Sequence, residues 1–103
     1  MADKLELKFE YELRDKVLRG KKECNYNATR FNQMLAKYGG VETAKRLIAM
    51  GISTGNPSDG FTTLCLCERL DLTMEESVCK PEYRDLFTAE EIDYCSKLLG
   101  EKK

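Results

Sequence analysis

Leu5-Glu6-Leu7-Lys8-Phe9-Glu10-Tyr11-Glu12-Leu13 alternates apolar and charged side chains, which is the period of a strand. A strand there would take the chain out of the all-helical class. Phe9, Leu13 and Val17 also recur at helical spacing, and Glu10 to Glu23 is rich in Glu, Leu, Arg and Lys. Those straight-chain residues lose little side-chain freedom in a helix. We read one helix over about residues 6–23. An extended segment at residues 5–13 stays open as the alternative.

Downstream the periodicity is less divided. Asn27 is placed to cap a helix whose apolar positions are Phe31, Met34, Leu35 and Tyr38, with Gly39-Gly40 ending it. Val41, Ala44, Leu47 and Ile48 predict the next helix, closed by Gly51, and the segment from Ile52 to Ser58 reads as a loop. Asp59 begins a helix carrying Phe61, Leu64 and Cys65. Thr73 with Glu76, and Thr88 with Glu91, have capping-box spacing. Pro81 suits the first turn of a short helix reaching Phe87, and the last helix buries Ile92, Cys95, Leu98 and Leu99. The expected fold is all-α: a compact irregular bundle of about six short helices in one domain over residues 1–103, frayed at 1–5 and 101–103.

The totals agree with that. A chain of 103 residues, 42% hydrophobic and 34% charged, has room for one core and one domain. It contains no apolar run near the roughly 18 residues of a membrane span, and Met1-Ala2-Asp3-Lys4 does not read as a secretory leader. A soluble cytoplasmic protein is expected, with no membrane contact. Five cysteines, an odd number, then argue against a disulfide framework. Cys65 and Cys67 would point about 200° apart on a helix and the chain has no His, so no metal and no cofactor is expected.

Chemistry is thin as well. Without His the usual neutral-pH base is missing, and the pairs Glu75-Glu76 and Glu90-Glu91 are explained by their capping sequences. No catalytic residue is assigned, and the chain is not expected to be an enzyme. Charge is more informative. Residues 1–50 hold eleven Lys/Arg against seven Asp/Glu, a balance of +4, and residues 51–103 hold six against eleven, a balance of −5. Either the basic half meets an acidic partner or the two halves attract each other within the fold. The candidate contact residues are Lys21, Lys22, Arg30, Lys37, Lys45 and Arg46, for a protein partner or for nucleic acid.

Five stretches, taken together, resemble a known but functionally undefined family. They are Tyr26-Asn27-Ala28-Thr29-Arg30-Phe31, Gly40-Val41-Glu42-Thr43-Ala44-Lys45-Arg46-Leu47, Ser58-Asp59-Gly60-Phe61-Thr62, Arg69-Leu70-Asp71-Leu72-Thr73 and Leu86-Phe87-Thr88-Ala89-Glu90-Glu91. The family is a small bacterial and phage all-helical domain, found alone and appended to predicted restriction-type nucleases. The resemblance implies a setting near DNA or mobile-element defence and brings no functional residues with it.

The function expected is therefore a non-catalytic accessory or interaction module binding a protein partner in such a setting, through a polar surface. Non-specific nucleic-acid binding by a basic face is one alternative, and a phage inhibitor of host defence is another. A thiol sensor would require an exposed Cys beside Lys or Arg.

Overall fold

The structure is a computed structural model that describes residues 3–102, and the side chains of residues 3–100. The ambiguous opening stretch is helical. α1 (Lys4–Cys24) starts on a capping box: Leu5 N–H donates to the Asp3 carboxylate at 3.4 Å, and Asp3 N–H donates to Glu6 at 3.2 Å. Its buried side is Phe9, Leu13, Lys16 and Gly20, a spacing of four, three and four that only a helix puts on one face. The alternation at Leu5 to Leu13 is thus split, with Leu7 and Tyr11 left outside. α1 begins within the stretch expected to fray; what was expected of residues 1, 2 and 103 lies outside the described residues.

α2 (Thr29–Thr54) is broken at Gly39, whose φ of 81° and ψ of 174° no helix contains. Gly40 follows in direct contact with α1, so that a Cβ there would lie 2.8 Å from the Glu10 Cα. Glu10 in turn accepts the Gly40 N–H at 3.1 Å. The Gly39-Gly40 pair therefore redirects the chain and admits α1 at backbone distance. Two expectations about this helix fail. Ala28, buried and without a side-chain bond, occupies the cap position in place of Asn27. The helix also runs through Gly51 to Thr54, and Gly51 serves instead as the place where the Tyr94 hydroxyl rests, since a side chain there would collide with it.

α3 (Asp59–Leu66) is capped by Ser58, which accepts the Phe61 N–H at 3.2 Å. A 3₁₀ helix at Leu70–Leu72 leads to α4 (Met74–Val78), capped by Thr73 through the Glu76 N–H at 3.2 Å. A second 3₁₀ helix, Pro81–Leu86, precedes α5 (Ala89–Lys102), where Thr88 and Glu91 complete the expected capping box with bonds of 2.8 and 3.1 Å. Every regular element among the described residues is helical, so the fold is all-α. No helix among them is long and apolar enough to cross a membrane.

α4 is a turn and a half long, yet it is packed by α1, α2 and α5. Val78 and Ser77 are completely buried, beside Phe9, Leu13, Ile48 and Cys95. Phe9 meets Tyr83 and Phe87 edge to face, each at 5.1 Å between ring centres. What orients α4 on α1 is polar. The Glu12 carboxylate accepts from Ser77 Oγ at 2.5 Å and from Tyr83 Oη at 2.9 Å, and pairs with Lys80 at 3.0 Å. Burial works against its charge, but those three donors outweigh burial and hold its pKa below 4.5. One turn on, buried Lys16 donates to the Thr73 carbonyl at 2.9 Å and to Glu76 at 2.6 Å. Glu12→Ala strands the Ser77 and Tyr83 hydroxyls and the Lys80 ammonium, so urea unfolding should show a loss of about 3 kcal/mol. A loss under about 1 kcal/mol would mean these bonds hold nothing together.

Candidate functional site

Two features stand apart from the core: a cavity and an exposed face of α1. The cavity, about 510 Å³, lies among α1, α2, α3 and the start of α4. Its walls are mostly apolar, with Leu13, Phe31, Met34, Leu47, Phe61 and Leu64 among them. Phe31 and Met34, expected in the core, are only half-buried because they face this space. Arg30 and Asp59, both exposed, also line it. The volume falls in the range of small-molecule sites.

Two buried ionisable residues, Lys16 and Glu75, line it as well, and Glu75 is the acid. It is 2% exposed, and Ser58 Oγ donates to its Oε2 over a long 3.4 Å. Its Oε1 accepts no hydrogen bond. Lys16 helps electrostatically, but its ammonium is already spent on Thr73 and Glu76. Burial therefore dominates and pushes the Glu75 carboxyl up to about 7, against weaker opposition from its own backbone N–H, Ser58 and Lys16. Burial, and after it the Glu75 charge, raises the pKa of the Tyr94 hydroxyl and of the Cys95 thiol on α5, so both stay neutral at physiological pH. A carboxyl of this kind can accept a hydrogen bond, pair with a cation or exchange a proton near neutrality.

The second feature is the outer face of α1. Leu7, Tyr11 and Leu18 lie within about 40° of one another around the helix axis, and Tyr11 and Leu18 are 65% and 69% exposed. Exposed Lys4, Arg14, Lys21 and Lys22 flank them. This exposed apolar stripe, with basic residues beside it, was not singled out from the sequence.

The six candidate contact residues divide. Lys21 and Lys22 lie on that border, at the end of α1, while Arg30 stands at the cavity. Lys37 and Arg46 are brought together on the Tyr38 ring, at 5.3 and 4.0 Å from its centre. Arg46 pairs with Glu42 at 3.0 Å and Lys45 with Glu91 at 2.8 Å. Lys21, Lys22, Arg30 and Lys37 make no ion pair among the described residues. The two halves of the sequence do attract each other: Lys8 meets Glu82, Lys16 meets Glu76, Arg19 meets Asp71 and Lys45 meets Glu91.

Two thiols also meet. Cys24 and exposed Cys67 share a hydrogen bond that, with burial second, raises the Cys24 pKa; the nearby Arg69 does not reverse it. That environment favours a thiol over a nucleophilic thiolate. Arg69 itself is committed, donating to Glu23 at 2.6 Å and to both Asp71 oxygens at 3.0 Å. No protein-family model, curated protein or solved structure matches the chain.

Glu75 has a measurable signature in stability. Unfolded, it loses its proton near 4.5, whereas in the fold it keeps it to about 7. Its contribution to folding is thus most favourable below pH 4.5 and declines as pH rises through 7. Glu75→Gln should match the unaltered protein near pH 5 and exceed it by roughly 2–3 kcal/mol at pH 8. Urea midpoints across that range test this, and parallel pH profiles for the two proteins would refute it.

Proposed function

We propose that the protein is a non-catalytic interaction module that binds a protein partner through the outer face of α1. The observation that carries this is the stripe of Leu7, Tyr11 and Leu18 bordered by Lys4, Lys21 and Lys22, with Arg14 beside it paired to Glu10. Large apolar side chains at the centre and charge at the margin are the anatomy of a protein–protein contact. The basic border calls for a partner surface that is apolar in the middle and acidic around it. A place beside a nuclease or another defence factor, including inhibition of one, is what the family resemblance adds.

Nucleic-acid binding has less in its favour. Of the six residues it needs, Lys45 is neutralised by Glu91 of α5 and Arg46 by Glu42.

The test compares capture from nuclease-treated host lysate by the unaltered protein and by a Tyr11→Glu/Leu18→Glu double variant. A partner retained by the first and lost, by at least about tenfold, with the second supports the assignment. Capture that is unchanged by the double variant, or abolished by nuclease treatment, overturns it. Both substituted residues are exposed, so a folded variant is expected by circular dichroism.

A further inference from the structure

Independently of any partner at α1, the cavity presents an incomplete polar site. A carboxylate offers about four lone-pair positions, and Glu75 has only its own backbone N–H and the long bond from Ser58 to fill them, with Oε1 left without a partner. Such groups in folded proteins normally find a partner.

The surrounding elements do not provide one. From α1, Lys16 is engaged by Thr73 and Glu76; from α5, Tyr94 and Cys95 are neutral and make no bond to Oε1. From α2, Lys45 is paired with Glu91, while Arg30 is exposed, as is Asp59 of α3. The remaining walls are mostly apolar, with Tyr26, Asn27, Thr29, Thr54 and Asn56 among them, and none of these bonds to Oε1. A hard metal ion wants six or more oxygen ligands, and no group of three or more acidic or sulfur ligands stands together among the described residues. The fitting occupant has one positive hydrogen-bond donor and an apolar remainder.

We infer that the cavity is a binding site for a small organic cation, a primary amine with an apolar body, whose ammonium group donates to the Glu75 carboxylate while the body lies against Phe31, Met34, Leu47 and Phe61. The negative charge required for that pairing is present above the carboxyl's pKa of about 7 and absent well below it. Affinity for the amine therefore falls with acidity, and affinity for an uncharged analogue does not.

Three of the four methionines, Met34, Met50 and Met74, line the cavity, so their methyl groups report its occupancy. The experiment titrates protein carrying ¹³C-methyl methionine with 2-phenylethylammonium and with its neutral counterpart 2-phenylethanol, at pH 6 and pH 8. The amine is expected to shift the three cavity methyl signals saturably and, at pH 8, to bind at least about tenfold more tightly than the alcohol. Its affinity should be about tenfold lower at pH 6. Glu75→Gln should erase both the preference for the amine and the pH effect. The inference is overturned if the alcohol binds as tightly as the amine, if Glu75→Gln keeps the preference, or if neither probe moves the three signals at millimolar concentration. Should Glu75→Gln not fold, the comparison of probes and of pH values on the unaltered chain decides the matter by itself.

Discussion

The placing of α4 depends on the Glu12 carboxylate. α4 spans five residues and has too few helical hydrogen bonds to stand alone. Its position comes from Ser77, Lys80 and Tyr83 converging on one carboxylate of α1, with Lys16 and Glu76 closing a second contact one turn later. Those bonds lie at the margin of an apolar cluster in which Phe9, Val78 and Tyr83 are fully buried. The apolar contacts supply most of the driving force, being non-directional. The directional bonds decide which way α4 turns, and hence where its next carboxylate points.

That next carboxylate is Glu75, and the contrast between the two is a matter of counting donors. Glu12 and Glu75 both suffer desolvation as their largest single perturbation. Glu12 meets three close donors and is held ionised; Glu75 meets one distant hydroxyl and keeps its proton into the neutral range. Their linkage to pH is opposite in sign. The stabilisation from Glu12 is present above 4.5 and lost as pH falls through its depressed value, whereas that from Glu75 is lost as pH rises through 7. Between those limits both carboxyls are in the protonation state the fold favours.

Much of this architecture was legible in the sequence. The helical class, the break at Gly39-Gly40, the Thr73 cap and the capping box at Thr88 follow from local rules, whereas the Glu76 half of the box expected at Thr73 goes to Lys16 instead. Where the sequence misled, the residue serves a tertiary contact: Gly51 makes room for Tyr94 inside α2, and Ala28 at the cap position is buried. Glu75 and Glu76 read alike as capping acids. They sit on different sides of α4, so Glu76 reaches Lys16 while Glu75 is buried beside the cavity. Nothing local distinguishes them. The α1 stripe did leave a signal, because positions 7, 11 and 18 share a helical face. The inner set of Phe9, Leu13 and Val17 uses the same alternating residues and masks it.

α1 thereby joins the two features that lack a structural explanation. Its inner side gives Leu13, Lys16 and Val17 to the cavity wall, and its outer side carries Leu7, Tyr11 and Leu18. Both arrangements cost stability. A large cavity forfeits contacts that a filled interior would make, and an unpaired buried acid forfeits hydration. Leucine in water gains nothing from its size. Smaller cavity walls drawn inward, or glutamine at 75 and lysine at 11 and 18, would relieve these costs without disturbing Glu12 or the aromatic cluster around Phe9. Local departures of this kind from the rules that the caps, the helix break and the buried ion pairs obey are where binding is to be sought.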